Sequence, residues 1–397
     1  MSRVLGRLTA WLLVMVAWPL MAIHRVAFWI DSLVDPSLDN QPLERPLFIV
    51  GVPRSGTTAF HRLIAENDAR FTSMQLWEVL FAPALCEKRI LCWLQRMDRR
   101  LGNPAGRLFG FAQRSLSRGL DDVHPTDLSS PEEDYLALLP FGGCFLTVLL
   151  FPFRKACWDL VYFDRMSEVR QRRLLRAYRG ILIRHLAFAR EAFRKRGHAG
   201  NDSELPTFVL SKNPSFTSWV DGLAMEFPDA RFVGLRRPLP ESLPSQLSSM
   251  RAGFACFGVD VTDPQIVERF RLLFLSYWSS LNRYERQLDA ERYVGIEYPR
   301  LRSAPFETLV SCFHMLGYGE IHQSPQKLMD ATNRLRAYVS RHQYDLESFG
   351  LAPEDLSTVS TAVASEPLSE NAISTIGPPA DSPFQEPSHA VTASETT

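Results

Sequence analysis

One short loop carries the densest group of chemically useful residues in the chain. It runs from Leu47 to Thr58 and joins an apolar run to a helical pattern. Gly51 and Gly56 allow the backbone to approach a ligand closely, and Arg54 adds a positive charge. Where such a loop opens a helix, the N–H groups of the first turn and the helix dipole attract an anion. The segment therefore predicts a phosphate-binding loop.

The residues after the second glycine separate this loop from the commonest nucleotide loop. A Walker A loop has two glycines with four residues between them, followed by Lys and then Ser or Thr. Gly51 and Gly56 keep that spacing, but Thr57 and Thr58 come next. The lysine that contacts the β- and γ-phosphates is missing, and no strand-end aspartate stands out for magnesium. The loop therefore favours a phosphate ligand other than a nucleoside triphosphate, with hydroxyl donors from Ser55, Thr57 and Thr58.

The loop also resembles a known family motif. Pro53-Arg-Ser-Gly-Thr-Thr58 after an apolar strand resembles the 5′-phosphosulfate loop of sulfotransferases, which use 3′-phosphoadenosine 5′-phosphosulfate (PAPS) as donor. Arginine at position 54, where cytosolic members carry lysine, is typical of the tyrosylprotein and bacterial branches. The resemblance implies that the donor is bound by Pro53, Arg54, Ser55, Gly56, Thr57 and Thr58.

A second block independently resembles the bacterial sulfotransferases. It comprises residues 208–214, residues 227–238 and Ser245. The family pattern reads strand, Lys-Ser/Asn-Pro, helix, Phe-Pro-Asp-Ala-Arg-Phe, strand, Arg, and Ser eight positions later. The resemblance therefore assigns the 3′-phosphate of PAPS to Arg237 and Ser245, and it places Lys212 near the sulfuryl group or the acceptor. A guanidinium fork together with a hydroxyl suits a dianionic phosphate.

The chain departs from the family pattern at several places. Arg236 stands one position before the family's arginine, from where it can assist. The family often has histidine two residues after the proline of its Lys-Ser-Pro motif, and this chain has Phe216. The basic, glycine-rich motif near the C-terminus of cytosolic members is missing. Part of the 3′-phosphate site is therefore unassigned, with Arg334 and Arg341 as weak candidates.

Sulfuryl transfer implies a base and a set of cations. The reaction moves SO₃ from PAPS to a hydroxyl or amine by in-line displacement, and the acceptor proton needs a base. Cationic and N–H donors must stabilise the charge that develops on the sulfuryl oxygens and the leaving phosphate. Arg54, the rest of the loop and Lys212 are the predicted donors. The scheme requires no metal.

Two residues are candidates for the base. Glu78 follows the first helix of the domain at about the interval at which tyrosylprotein and heparan-type sulfotransferases place a catalytic glutamate. His124 precedes Pro125 in an acid-rich stretch, and imidazole titrates near neutrality. We rank Glu78 first and His124 second. Glu132 and Glu133 match the charges that favour a helix N-terminus better than they match a catalyst.

The elements that must position these residues alternate along the chain. From about residue 42 to about residue 351, short apolar runs alternate with longer helical patterns. This alternation predicts the α/β fold class, with a P-loop-like parallel sheet flanked by helices. The predicted strands are residues 47–51, 207–210, 231–235 and 292–296, and the clearest helical patterns lie near residues 165–195 and 264–290.

The composition divides the chain into three regions. Residues 1–40 form an apolar N-terminal membrane-associated segment, predicted to be a helix, and residues 41–356 form the predicted sulfotransferase domain. Residues 357–397 are rich in Ser, Thr, Pro, Ala and Glu. Such a sequence buries too little apolar surface to offset its ordering entropy, so we predict a disordered tail.

The N-terminal apolar segment has three interpretations. It covers residues 8–30, and its cleanest run, residues 10–23, is shorter than the roughly 20 residues that span a bilayer. Trp11, Trp18 and Trp29 suit a membrane interface. The segment is a spanning anchor, a helix in the plane of the interface, or a helix packed on the domain. No small-residue cleavage site clearly follows, which disfavours a signal peptide.

The charges around this segment bear on its orientation. Arg3 and Arg7 precede it, while Arg25 is followed by Asp31 and Asp35. For a spanning segment, the positive-inside rule weakly favours a cytoplasmic N-terminus and a catalytic domain across the membrane, as in a Golgi enzyme with a lumenal site. Because the motifs are of bacterial type, we favour the alternative: a membrane-associated protein whose active site faces the cytoplasm.

Composition and charge exclude other classes. The 397 residues are 46% hydrophobic, and 44 basic residues balance 44 acidic ones. A nucleic-acid binder usually has a basic excess, so no nucleic-acid partner is expected. The six cysteines contain no CxxC pair, which disfavours a zinc ribbon or a thioredoxin-type site. We interpret them as reduced core residues.

Two rival functions and the acceptor remain open. A P-loop kinase or similar enzyme would use ATP rather than PAPS, and a membrane-tethered relic would bind nucleotide without turnover. The acceptor is a small molecule, a lipid or a glycan. The apolar N-terminus permits a lipid or membrane-near glycan without requiring one.

Overall fold

The central sheet follows the predicted apolar runs. The protein is represented by a computed structural model that describes residues 3–107, 128–196, 205–321, 329–330, 332–333 and 346–352. Five strands lie in the order β2-β3-β1-β4-β5, and every neighbouring pair is parallel. The strands are β1 Leu47–Gly51, β2 Phe71–Thr72, β3 Phe208–Lys212, β4 Arg231–Arg236 and β5 Tyr293–Glu297. The α/β prediction is confirmed, and only the two-residue β2 was not anticipated.

The register brings three strand ends to one point. Leu47 of β1 pairs with Leu210 of β3 on one side and with Arg231 of β4 on the other. The residues that follow β1, β3 and β4 therefore meet at the same edge of the sheet. In open parallel sheets, ligands bind in the crevice outside these carboxyl ends. Both segments of the family resemblance end at this edge.

Helices cover both faces of the sheet. Those described are α1 Arg3–Val34, α2 Thr57–Ala65, α3 Leu76–Phe81, α4 Leu85–Arg100, α5 Thr147–Leu150, α6 Lys155–Trp158, α7 Glu168–Lys195, α8 Val220–Glu226, α9 Leu239–Cys256, α10 Pro264–Gln287, α11 Tyr298–Ser303 and α12 Pro305–Met315. Helix α7 and helix α10 occupy the two predicted helical patterns. Two 3-10 helices, Asp134–Phe141 and Pro214–Trp219, lie beside the crevice and contact α3 and β1, respectively.

Alternate strand residues point into two separate apolar cores. Leu47 and Ile49 pack in one core, whereas Phe48 and Val50 pack in the other. All four side chains are buried, as expected for a parallel sheet with helices on both faces. This packing holds the carboxyl end of β1, and hence the start of the predicted phosphate loop, in a rigid position.

The N-terminal apolar helix is also confirmed. Residues Leu5–Val34 of α1 are long and apolar enough, by length and composition alone, to cross a membrane. The predicted tail, residues 357–397, lies outside the described residues. The domain boundaries at residues 40 and 356 stay predictions.

Candidate active site

The loop after β1 has the backbone that a phosphate loop requires. Gly51 has φ +148° and Gly56 has φ +89°. A Cβ at position 51 would lie 2.3 Å from the carbonyl oxygen of Leu235, so a side chain there would force β1 and β4 apart. Arg54 has φ +67°, a left-handed conformation that costs a residue with a Cβ roughly 1–2 kcal/mol. Local strain of this kind is concentrated at functional sites.

The loop delivers its donors to the start of α2. Gly56 is the N-cap of this nine-residue helix, so the free N–H groups of the first turn face the crevice. The Ser55 hydroxyl is buried and has no hydrogen-bond partner among the described residues. A buried polar atom without a partner is costly, and a bound anion would satisfy it. The residues present therefore fit a phosphate or phosphosulfate group.

Arg54, Arg237 and Ser245 converge beside the loop although they are far apart in sequence. Arg54 Nε donates to Ser245 Oγ at 3.1 Å, and Arg237 Nη1 donates to the Arg54 carbonyl oxygen at 3.2 Å. The Arg237 guanidinium lies 4.6 Å from the centroid of the Tyr298 ring and is oriented by Glu241 at 3.0 Å. Arg54 has no ion pair with any described carboxylate. Two guanidinium groups and a hydroxyl thus form one cationic site.

The neighbouring Arg236 does not reach this site. It is 5% exposed and points the other way, where it pairs with Glu285 at 2.6 Å and with Glu297 at 3.7 Å. Its Nη2 also donates to the carbonyl oxygen of Leu281. Arg236 therefore ties β4 to α10 and β5, and of the two adjacent arginines only Arg237 lies beside the loop.

Lys212 joins the loop to a carboxylate. It ends β3, and its Nζ lies 2.8 Å from Glu133 Oε1 and 3.3 Å from Thr58 Oγ1. The lysine side chain is 2% exposed, whereas that of Glu133 is 27% exposed. No described residue donates to the other carboxylate oxygen of Glu133. The pair places a partly hydrated carboxylate and a cation next to the first turn of α2.

A buried hydrogen-bond network holds this pair in place. Asp134 is 1% exposed, accepts from Tyr178 Oη at 3.0 Å and from Ser211 Oγ at 3.2 Å, and also accepts from Asn213 Nδ2. Burial raises the pKa of Asp134 to about 6, although hydrogen bonds from Asn213, Tyr178 and Ser211 oppose the rise. Asp134 follows Glu133, and its partners Ser211 and Asn213 flank Lys212. The network therefore fixes the distance between the Glu133 and Lys212 side chains.

Glu78 lies in a closed cluster. Its side chain is 3% exposed, and Oε1 accepts from Lys88 Nζ at 2.8 Å and lies 3.1 Å from His185 Nδ1. Oε2 accepts from the N–H of Gln75 at 2.8 Å. Burial by itself raises the pKa of Glu78, but the charges and hydrogen bonds of Lys88 and His185 outweigh it and hold this pKa below its usual range. Both carboxylate oxygens already have hydrogen-bond partners, so Glu78 is poorly placed to take a proton from the substrate that receives the sulfuryl group.

The other predicted residues have mixed outcomes. Pro53, Thr57 and Thr58 lie in the loop and at the start of α2. His124 lies outside the described residues, so its role as a base stays a prediction. The two weak candidates for the remaining 3′-phosphate contact, Arg334 and Arg341, lie outside them as well.

Two further residues at this edge were not anticipated from the sequence. Thr217 Oγ1 accepts from Gly51 N at 2.9 Å and donates to the Gly51 carbonyl oxygen at 3.0 Å, which anchors the first glycine of the loop. His61 is buried on α2 and bonds Ser73 Oγ through Nε2 at 2.7 Å. Burial and the charge of Lys212 hold the His61 pKa well below its usual range. Only pairing across the fold identifies either residue, because neither belongs to a recognisable motif.

The described residues contain no group of three or more His, Cys, Asp or Glu side chains arranged to hold a metal ion. The described cationic side chains at this edge are those of Arg54, Arg237 and Lys212. Together with the N-terminus of α2, these side chains can bind an anion, and a carboxylate lies next to them. Such an arrangement suits the transfer of a negatively charged group to an acceptor that must lose a proton to a base.

Comparison with known proteins agrees with this chemistry. The sequence profile described as "Sulfotransferase family" matches residues 46–320. Among solved structures, the chain is similar to the sulfotransferase STF9 from Mycobacterium avium, with a TM-score of 0.60, 20% identity, and coverage of 85% of this chain and 80% of that one. It is similar to the sulfotransferase STF1 from Mycobacterium tuberculosis H37Rv, with a TM-score of 0.54, 20% identity, and coverage of 86% and 83%. No curated protein sequence matches significantly.

Proposed function

Because the chain belongs to the sulfotransferase family, we propose that it moves a sulfuryl group from PAPS to a hydroxyl or amine of a small-molecule, lipid or glycan acceptor. The observation that carries this proposal is the convergence of Arg54, Arg237 and Ser245 beside the phosphate loop. PAPS carries a 5′-phosphosulfate and a 3′-phosphate and therefore needs two anion contacts: the loop with Arg54 would supply the first, and Arg237 with Ser245 the second. An ATP-dependent enzyme is disfavoured because Thr57 stands at the Walker lysine position.

The proposed roles are those that the family resemblance implies, and the geometry of each side chain supports them. Residues 53–58 would hold the 5′-phosphosulfate through the first turn of α2, the orphan Ser55 hydroxyl and Arg54. Arg237 and Ser245 would hold the 3′-phosphate. PAPS, when bound, supplies the sulfuryl group together with a phosphate leaving group. The Arg54 side chain would stabilise the negative charge of that group, and it is available because it has no described carboxylate partner.

Glu133, rather than Glu78, is the base that we propose. Glu133 is partly hydrated, keeps one carboxylate oxygen free of described donors, and is joined through Lys212 to Thr58 of the loop. A base must reach the acceptor proton directly or through one water, and the closed partners of Glu78 prevent this. Lys212, placed between base and loop, would stabilise the charge that develops on the sulfuryl oxygens.

The membrane-associated part of the proposal rests on α1. We propose that residues 8–30 contact the bilayer and that the catalytic domain lies on the cytoplasmic side, where the donor of a bacterial enzyme is present. Proteolysis of sealed vesicles tests this location. We expect the domain to be digested from the cytoplasmic side without detergent, and protection there would support the lumenal alternative.

Nucleotide binding tests the assignment of the 3′-phosphate. Arg237→Ala and Ser245→Ala should each weaken the binding of adenosine 3′,5′-bisphosphate by about 1.5–3 kcal/mol, because each removes a charge-assisted contact. Binding of AMP, which lacks the 3′-phosphate, should change much less. Isothermal titration with both nucleotides measures the difference, and Arg172→Ala on the exposed face of α7 is the matched control. Equal weakening of both nucleotides would contradict the assignment.

A further inference from the structure

Helix α1 lies along the domain rather than projecting from it. Near its start, Gly6 lies against the backbone of Phe257, because a Cβ at position 6 would be 2.0 Å from the Phe257 carbonyl oxygen. One turn later, Trp11 meets Phe151 edge-on at 5.9 Å. Near its end, Phe28 packs on Phe141 with ring centroids 5.2 Å apart. The helix therefore contacts the domain at both ends.

Buried polar contacts fasten the second half of α1. His24 Nδ1 lies 2.7 Å from Glu87 Oε1, and Asp31 pairs with Arg184 at 3.1 Å. The Asp31 carboxylate also accepts from the N–H groups of Leu85 and Cys86 at 2.7 and 2.9 Å, which caps the start of α4. These contacts need the folded domain as their partner, and breaking a buried ion pair is strongly destabilising.

The length of this contact is incompatible with a simple spanning helix. The contacts extend from Gly6 to Asp31, which corresponds to about 37 Å of helix at 1.5 Å per residue. The hydrocarbon core of a bilayer is about 30 Å thick. If α1 crossed it, the domain surface beside α1, including the Asp31–Arg184 pair, would enter the hydrocarbon with it.

The face of α1 that points away from the domain is apolar. Small or contacting residues at helical spacing, among them Gly6, Ala10 and Ala27, form the inner stripe. The outer residues are large and more than half exposed: Leu8, Leu12, Met15, Val16, Trp18, Ile23, Val26, Trp29, Leu33 and Val34, with Trp11 at the edge of this face, where it also meets Phe151. No Lys, Arg, Asp or Glu occurs between Arg7 and Arg25. This face is therefore a long apolar strip that contains three tryptophans.

Helix α4 adds a second outward apolar stripe next to the end of α1. Ile90, Trp93 and Leu94 recur at helical spacing on one side, Leu101 follows directly after the helix, and the four are 48–73% exposed. The opposite side, which includes Lys88, is packed into the domain. A globular helix normally turns its apolar stripe inward, so α4 presents the reverse arrangement.

Arginines border the outward stripe of α4. Arg89, Arg96 and Arg100 are exposed at positions that follow one another along one flank of the helix. Arg89 pairs with Glu191, whereas Arg96 and Arg100 have no ion pair among the described residues. Leucine and tryptophan on one face with arginine at its edge are typical of a helix lying in a lipid interface.

We propose that the outer face of α1 and the outward stripe of α4 form one membrane face, which binds the surface of an anionic lipid bilayer with α1 parallel to the membrane plane. The proposal deepens the membrane association proposed above and is independent of the sulfuryl-transfer chemistry. Charge decides the occupant: a second copy of the chain brings the same arginines to the contact, whereas acidic headgroups complement them.

Vesicle binding by the full-length chain tests the membrane face. The double variant Trp93→Gln/Leu94→Gln should lower partitioning onto phosphatidylcholine–phosphatidylglycerol vesicles by about tenfold or more, because two large apolar side chains no longer enter the lipid. The double variant Arg96→Gln/Arg100→Gln should lose roughly fivefold per arginine on anionic vesicles and little on pure phosphatidylcholine. Met225→Gln, an exposed apolar residue on α8, and Arg172→Gln on α7 are the matched controls.

Each alternative has a distinct result. If α1 spans the bilayer by itself, binding will not depend on the α4 substitutions or on lipid charge, and the proposal is wrong. If a second copy covers the face, the chain will sediment as a dimer that Trp93→Gln/Leu94→Gln dissociates, with no preference for anionic vesicles, and this also overturns it. Circular dichroism of the same samples confirms folding, and titration of adenosine 3′,5′-bisphosphate tests the donor site separately.

Discussion

Two glutamate–lysine pairs with the same separation occupy very different surroundings. Glu78 and Lys88 lie 2.8 Å apart in a cluster where both side chains are at most 3% exposed. Glu133 and Lys212 also lie 2.8 Å apart, but the Glu133 side chain is 27% exposed and the lysine reaches the phosphate loop. The first pair joins α3, α4 and α7, whereas the second lies at the carboxyl edge of the sheet.

The difference shows that the residue type alone does not identify a base. A carboxylate whose two oxygens both accept hydrogen bonds from buried donors is a structural anion, since accepting a proton would break the pair that compensates its burial. A carboxylate with one unoccupied oxygen near solvent can take a proton and release it. Glu78 has the first arrangement and Glu133 the second. Three measurements sharpen or break this contrast.

The largest expected effect is on turnover. Glu133→Gln should lower kcat by about 10²–10⁴-fold, the usual contribution of a general base, while affinity for adenosine 3′,5′-bisphosphate and the free energy of unfolding change little. Glu132→Gln, its neighbour in sequence, is the matched control. The kcat of each variant is measured with PAPS and an acceptor that the wild-type protein sulfates. If Glu78→Gln abolishes kcat without loss of stability, and Glu133→Gln keeps the wild-type kcat, Glu78 is the base and the proposal for Glu133 is wrong.

The next effect is on stability. Lys88→Met should lower the free energy of unfolding by about 3–5 kcal/mol, because it leaves the buried Glu78 carboxylate without its cation. Lys212→Met should cost less, because water still reaches Glu133, and it should lower kcat instead. Urea unfolding of both variants beside the wild type separates these outcomes. If both variants lose the same free energy of unfolding, the two pairs contribute equally to stability and the contrast between them is wrong.

The smallest effect is a pH dependence of stability. The pKa of Asp134 is raised from 3.8 to about 6, so the folded state holds this proton more tightly than the unfolded state does. The free energy of unfolding should therefore fall by roughly 2–3 kcal/mol as pH rises from about 4 to about 6, and then level off.

Glu78 has the opposite sign. Its pKa is lowered in the folded state, so its stabilising contribution is present above the ordinary glutamate pKa and is lost as pH falls below it. Unfolding curves across this range resolve the two carboxyls. Asp134→Asn should flatten the fall above pH 4, and Glu78→Gln should reduce the loss in acid. An unchanged slope in Asp134→Asn would contradict the raised pKa.

Local sequence determined much of the site. The apolar run 47–51 followed by glycines and hydroxyls predicted a strand, a loop and a helix start, and the structure has all three; that the loop binds phosphate stays a prediction. These features depend on burial and backbone conformation over a few neighbouring residues, which residue types report directly. The family resemblance paired Arg237 with Ser245 eight positions later, and the two side chains do lie beside the same loop.

Only the tertiary structure showed which side chains pair with residues that are distant along the chain. Arg236 and Arg237 are identical residues in adjacent positions, and only the packing of β4 against α10 and β5 sends one inward and the other to the loop. The sequence likewise could not show that Glu78 meets Lys88 and His185 while Glu133 meets Lys212, nor that α1 lies against the domain. Charge, burial and access are properties of the assembled surroundings, so they follow from contacts that no local pattern contains.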